Sequence, residues 1–284
     1  MIPVKQLKLK SPIETTVHLK LENLNETGSH KDRGLKTQIQ KHIDDGAGKF
    51  VISSSGNAAI SASKFCMEHK LPLTIFVSPD TPKFKLDRIY NYPGLTIEFS
   101  KRPKHDAFQM AKNSKAVFLR ASTDSYAVEG YQSIAIELSK QVPGCTDLFL
   151  PVSSGTTAVG VYQGFKILDS PNKIPRFHVV QTTRVNTISQ EFDKDFDPTE
   201  DSIAQAIVDR IGHRKKEVIE IVRKTNGWGW VVSDSEIIQA KELMPTAIQA
   251  SNEGAMSVAG LIKALRNDWE ISVPVCIITG LGEN

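Results

Sequence analysis

Short apolar runs rich in β-branched residues alternate along the chain with stretches whose apolar positions recur every three to four residues. The runs Val17–Leu21, Phe50–Ser53, Leu73–Val77, Thr96–Phe99, Ala116–Leu119, Leu148–Val152, Phe177–Gln181, Trp228–Val232 and Val273–Thr279 predict strands. Helices are predicted between most of them, at Leu35–Ile43, Asn57–His69, Lys85–Tyr90, His105–Asn113, Gly130–Lys140, Thr156–Leu168, Ser235–Met244 and Glu253–Arg266. The charged, amphipathic Glu217–Lys224 predicts a surface helix. Tyr92-Pro93-Gly94 and the acidic Phe192–Thr199 with Pro198 read as loops. Strands apolar on both faces, alternating with helices, predict an α/β fold of parallel sheets covered by helices. In such sheets ligands bind at the carboxyl ends of strands, so the strand-to-helix junctions carry the candidate chemistry.

Three junctions stand out. After Leu148–Val152 comes Ser153-Ser154-Gly155-Thr156-Thr157 at a helix start. Small hydroxyl residues around a glycine bring the backbone close to an anion, which the free N–H groups and positive end of the helix then hold. An ordinary Ser/Thr cap is the alternative. It is neither a Walker loop nor a dinucleotide fingerprint, lacking Gly-Lys-Ser/Thr and Gly-x-Gly-x-x-Gly. After Phe50–Ile52, Ser53-Ser54-Ser55-Gly56-Asn57-Ala58 suits a carboxylate or a phenolic oxygen, or is a capping cluster. After the first predicted strand, Lys31 stands in Asn25-Glu26-Thr27-Gly28-Ser29-His30-Lys31-Asp32-Arg33-Gly34, at a helix entrance. A buried lysine there would have a lowered pKa and a nucleophilic amine. Lys83, Lys85 and Arg88 follow a strand and are either a cationic pocket or a solvated basic face.

Composition narrows the classes. The 284 residues suggest roughly two domains, and 35 basic against 32 acidic residues argue against a nucleic-acid or membrane-surface role. Cys66, Cys145 and Cys276 form no Cys-x-x-Cys pair and read as small core residues. The seven histidines lack metal-ligand spacing, so no metal is expected. No signal sequence and no membrane span are read, which makes a reducing, cytoplasmic setting the expectation. Ser61-Ala62-Ser63-Lys64 matches Ser-x-x-Lys without the companion elements of that motif and reads as a helix face.

Taken in order, the junctions resemble the fold-type II pyridoxal-phosphate-dependent enzymes, and threonine synthases most of all. The Asn25–Gly34 segment resembles that family's cofactor-lysine segment, usually Asn-Pro-Thr-Gly-Ser-Phe-Lys-Asp-Arg-Gly, and Ser54-Ser55-Gly56-Asn57 its Ser/Thr-x-Gly-Asn loop. Ser153–Thr157 resembles its phosphate loop. Glu129-Gly130-Tyr131-Gln132, Glu253–Leu261 and Thr279-Gly280-Leu281-Gly282 resemble three further threonine-synthase segments. The likeness spans about residues 10 to 284.

The resemblance implies a two-domain, tryptophan synthase β-like fold: residues 1–44 and 131–284 as a large cofactor domain, and 45–130 as a smaller mobile domain with the substrate loop. It implies pyridoxal 5'-phosphate as cofactor, in a Schiff base with Lys31, which would also shuttle the substrate proton. Asn57 would meet the ring hydroxyl, Ser153, Ser154, Gly155, Thr156 and Thr157 the phosphate, and Thr279 the pyridine nitrogen. Ser54, Ser55, Gly56, Asn57 and Ala58 would hold the carboxylate of a small amino-acid substrate. A neutral hydroxyl at the ring nitrogen favours elimination or replacement over transamination. The expected reaction is O-phosphohomoserine and water to threonine and phosphate. A serine/threonine dehydratase, an O-acetylserine-type cysteine synthase and a non-catalytic cofactor binder on the same fold stay open, as does a homodimer. Departures from the pattern are His30 before the lysine, Glu26 in place of proline, Ser153-Ser154 in place of glycines, and a chain shorter than most threonine synthases, without their longer amino-terminal region.

Overall fold

The computed structural model describes residues 1–9, 14–168 and 174–282. By their internal contacts these form two compact units: Met1–Gly28 with the chain from Tyr131 onward, and Ser29–Gly130.

The first unit holds a six-stranded sheet. Its strands are β1 (Val4–Leu9), β2 (Thr15–Lys20), β7 (Asp147–Pro151), β8 (Arg176–Thr182), β9 (Trp228–Val232) and β10 (Pro274–Ile277), in the order β1-β2-β10-β7-β8-β9. β1 pairs antiparallel with β2, and every other pairing is parallel. β1 escapes the apolar-run criterion because Lys5, Gln6 and Lys8 face solvent, as suits a sheet edge. Central β7 is buried throughout and opens on Asp147, beside Arg176 and His178. Burial alone would raise the Asp147 carboxyl, yet hydrogen bonds from His178, Arg176 and Thr146 hold it below its ordinary value, while burial pushes the His178 imidazole down.

Helices α6 (Thr156–Ile167), α7 (Lys215–Lys224), α8 (Asp234–Glu242) and α9 (Asn252–Arg266) belong to this unit. α7 buries Val218, Ile221 and Val222 at i, i+3 and i+4. α8 starts with a capping box between Ser233 and Glu236. α9 is capped by the Ser251 hydroxyl, which accepts from the Gly254 amide at 3.1 Å. Gly260 is obligatory on α9, since a Cβ would stand 2.5 Å from Val180 Cγ2 on β8.

The second unit holds a four-stranded, all-parallel sheet of β3 (Phe50–Ser53), β4 (Leu73–Val77), β5 (Leu95–Phe99) and β6 (Val117–Phe118), ordered β5-β4-β3-β6. Its helices are α1 (Lys31–Asp44), α2 (Asn57–Glu68), α3 (Lys83–Tyr90) and α4 (Pro103–Ser114). The unit boundary at Gly130 falls within α5 (Ser125–Gln141). Leu35 and Ile39 of α1, Phe65 and Cys66 of α2, and Phe50, Ile52, Leu73 and Ile75 of the sheet share one core. That packing is why the division falls at 28/29, whereas the resemblance implies 44/45: α1 buries its apolar face on the second unit's core. Burial pushes the Cys66 and Cys145 thiols up to about 12 and Cys276 well above its ordinary value. Among the described residues no helix is long and apolar enough to cross a membrane.

Candidate active site

In the first unit the predicted anion loop and Thr279 come together at one sheet edge. β7 and β10 are parallel neighbours with Phe149 opposite Cys276. Three residues further along each strand path stand Val152 and Thr279, so Ser153–Gly155 and Thr279 leave the same carboxyl edge. Thr279 is buried at 5% exposure. Gly155 has φ +94°, and a Cβ there would lie 2.6 Å from Val218 Cγ2 and 3.2 Å from Arg214 Cβ. Left-handed backbone and close approach both demand glycine. The N-cap of α6 is Gly155, which has no side chain to cap it, and the Ser154 and Thr156 hydroxyls lie 3.0 Å apart at its first turn.

The Ser153 hydroxyl faces a different segment. It accepts from the amides of Val208 and Asp209, both at 3.1 Å. Asp209 in turn accepts from the amides of Ile211 (3.0 Å) and Gly212 (2.9 Å) and lies 3.2 Å from His213 Nδ1. Burial would raise its carboxyl, but the Gly212 amide, His213 and the Ile211 amide hold it below its ordinary value. Sequence spacing gave no sign of this buttress, because Ser153 and Asp209 are 56 residues apart.

The Asn25–Gly28 turn also belongs to this unit. The Gly28 amide donates to the Asn25 carbonyl at 2.8 Å, and Gly28 takes φ +84°. Its carbonyl accepts from the Leu281 amide at 2.8 Å, and a Cβ on Gly28 would sit 3.3 Å from Leu281 Cβ. The turn is thereby pinned to Thr279–Gly282, and Gly254 of α9 packs on Ile278 and Thr279 from another side. Three segments distant in sequence thus converge at the end of β10.

In the second unit Lys31 is the first residue of α1, and its amide donates to Ser29 Oγ at 3.3 Å. Asp32, buried, accepts from the Ser61 hydroxyl at 2.5 Å. Ser61 lies one turn beyond Asn57, the first residue of α2, so this bond sets the two helix starts side by side. Glu129-Gly130 belongs to the same constellation: a Cβ on Gly130 would stand 2.2 Å from the Arg33 carbonyl oxygen. Arg88 Nη2 reaches Asn57 Oδ1 at 3.4 Å. Lys83 is exposed at the start of the same helix.

Gly56 differs from Gly155. Its backbone is extended (φ −115°, ψ −154°), and a Cβ would meet nothing within 4 Å. Space lies open at Gly56, whose amide donates to Ser54 Oγ at 3.2 Å. Lys31, Asn57 and Ser54–Ala58 belong to one unit, and Ser153–Thr157 and Thr279 to the other.

Each unit presents a strand–Ser/Gly loop–helix junction. The chain belongs to the pyridoxal-phosphate dependent enzymes, whose family model matches residues 1–280. Along most of its length it is similar to the threonine synthase of Methanocaldococcus jannaschii, at 26% identity over 94% of this chain and 70% of that protein. The human L-serine dehydratase/L-threonine deaminase is 30% identical over 58% of this chain and 55% of that protein. Among solved structures, a pyridoxal 5'-phosphate-dependent aspartate racemase matches with a TM-score of 0.83 at 20% identity, covering 100% of this chain and 91% of that one. Maize serine racemase does so with 0.83 at 20% identity, covering 100% and 88%. These structures establish the fold. The cofactor of the family is pyridoxal 5'-phosphate, and the residues present fit it: an α6 start with glycine at its N-cap and hydroxyls beside it, open space at Gly56, and a buried neutral hydroxyl at Thr279.

Proposed function

We propose that this chain is a lyase that converts O-phosphohomoserine and water to threonine and phosphate. The observation that carries the substrate is the likeness to threonine synthases along 94% of the chain. When bound, the cofactor draws electrons from the α carbon of an amino acid. Lys31 is the lysine that holds the cofactor and moves the substrate's proton. Its place at the first position of α1, fixed through Asp32 to α2, supports that role. Backbone amides at the start of α6, with Ser154, Thr156 and Thr157, hold the cofactor phosphate. Ser153 acts from behind, by holding the Val208–Asp209 segment.

Asn57 binds the ring hydroxyl, and Ser54–Ala58 binds the substrate carboxylate in the space that Gly56 leaves. Thr279 meets the ring nitrogen with a hydroxyl, which cannot keep that nitrogen protonated as a carboxylate would. That favours loss of a leaving group at the β or γ carbon. Arg88, whose Nη2 reaches Asn57 Oδ1, is the cation that meets a leaving phosphate in this reading.

Dehydration of serine or threonine is the second reading, favoured by the 30% identity to the human dehydratase/deaminase. The test is an assay of purified holoenzyme on O-phosphohomoserine, serine and threonine, with borohydride reduction and peptide mapping alongside. Threonine and phosphate released in equal amounts, with the label on Lys31, are expected. Keto acid from serine without phosphate release replaces the first reading with the second, and a label on another lysine overturns the site.

A further inference from the structure

The carboxyl end of β8 carries chemistry that the proposed reaction does not use. Within the first unit, a cavity of about 640 Å³ is lined by Arg184, Asn186, Thr187, Gln190, Glu200 and Arg210. Arg184 follows β8 by two residues. It is half-buried, and its Nε, fully buried, has no hydrogen-bond acceptor among the described residues. An unsatisfied buried guanidinium N–H is costly. Two arginines face one carboxylate, so the lining has an excess of positive charge. Asn186, Thr187 and Gln190 add neutral polar groups.

Hydrogen bonds brace part of the wall. The Asn186 amide nitrogen donates to the Thr183 carbonyl at 3.0 Å, and the Gln190 backbone amide to the Asn186 carbonyl at 2.9 Å. The Asp209 segment lies between this cavity and the Ser153 loop: its amide donates to Ser153 Oγ at 3.1 Å, and its carbonyl accepts from the Thr187 hydroxyl at 3.5 Å. The cavity is therefore separate from the α6 start.

We infer that this cavity is a second anion site, binding a small oxyanion of the phosphate or dicarboxylate class between Arg184 and Arg210. The planar guanidinium fork matches the paired oxygens of either group. A divalent cation would meet two positive charges and a single carboxylate. The inference is independent of the substrate assigned above.

Isothermal titration of the holoenzyme with inorganic phosphate, and separately with malonate, tests it. The wild-type protein is expected to bind one more oxyanion per chain than R184Q/R210Q. R184Q and R210Q singly should weaken that event by about tenfold or more, with cofactor absorbance as in the wild type. Binding of phosphate alone identifies a phosphate-bearing ligand, and binding of malonate alone a dicarboxylate. Equal stoichiometry and affinity in the wild type and R184Q/R210Q for both probes overturns the site, as does the absence of any binding at millimolar concentration. Arg210 is exposed, so R210Q keeps the test decisive if R184Q fails to fold.

Discussion

Ser54-Ser55-Gly56-Asn57 and Ser153-Ser154-Gly155-Thr156 are near-twins in sequence: a parallel strand, two serines, a glycine, then a helix whose first residue is Asn57 or Thr156. The structure gives the two glycines opposite surroundings. Gly155 is required by its own fold, through φ +94° and the 2.6 Å approach of Val218. Gly56 is required by neither backbone nor packing, since it is extended and a Cβ would meet nothing within 4 Å. One glycine lets protein pack on protein. The other leaves open space, which the proposed function fills with a bound group. Glycine at a strand-to-helix junction therefore carries two meanings that only the neighbouring atoms separate.

Gly155→Ala carries the largest expected effect on the comparison. A strained left-handed residue and an overpacked contact each cost about 1–3 kcal/mol, so the first unit should lose roughly 2–6 kcal/mol. Val218 is β-branched on a helix and cannot rotate away freely. Urea unfolding followed by circular dichroism reads the loss, and an unchanged midpoint would remove the contrast. Ser153→Ala comes next. It strips the acceptor from the Val208 and Asp209 amides, at about 1–3 kcal/mol. Hydrogen exchange at those two amides should quicken. If it does not, Ser153 is no buttress, and its hydroxyl belongs with the ligand after all.

A smaller effect concerns acid. The Asp209 carboxyl lies below its ordinary value in the folded chain, so its stabilisation is complete above the unfolded value near about pH 4. It is lost as pH falls through the lower folded value. Asp209→Asn should flatten that limb of the melting temperature against pH, and an unaltered limb would place the acid sensitivity elsewhere, Asp147 being the next group to test. Gly56→Ala closes the series, with stability within about 0.5 kcal/mol of the wild type and weaker substrate or cofactor binding. A large loss of stability with intact binding would make the two glycines alike and sink the proposed role of the Gly56 loop.

Much of this architecture was legible beforehand, for local reasons. Strands β3, β4 and β9 have the bounds that their apolar runs predict. α7 emerged at its charged, amphipathic stretch, because Val218, Ile221 and Val222 fall on one face whatever the tertiary context. β1 was missed for an equally physical reason: an edge strand with Lys5, Gln6 and Lys8 toward solvent has no apolar run to detect. The first residue of α1 was also hidden. His30 makes no side-chain cap, and Lys31–Gly34 lacks an apolar pattern, so the periodicity starts only at Leu35.

The candidate site divides the same way. The junctions at Lys31, Asn57, Ser153–Thr157 and Thr279 were readable, because a strand end, a glycine and a few hydroxyls are chain-local features. Their supports were not. The Gly130 contact with Arg33, the hold of Gly28 on Leu281, and the turn of Ser153 toward Asp209 join residues tens to hundreds of positions apart, with no recurrent spacing to betray them. Arg184 and Arg210 lie 26 residues apart in no motif, and only the fold brings them to one cavity. Backbone preference, periodicity and junction chemistry act between near neighbours, so the sequence by itself determined the alternating elements and where ligands could be met. Steric exclusion and burial act between atoms that only folding brings together. The tertiary structure alone therefore decided which glycine is structural, which serine is a prop, and that α1 belongs with the core of Phe50 and Phe65.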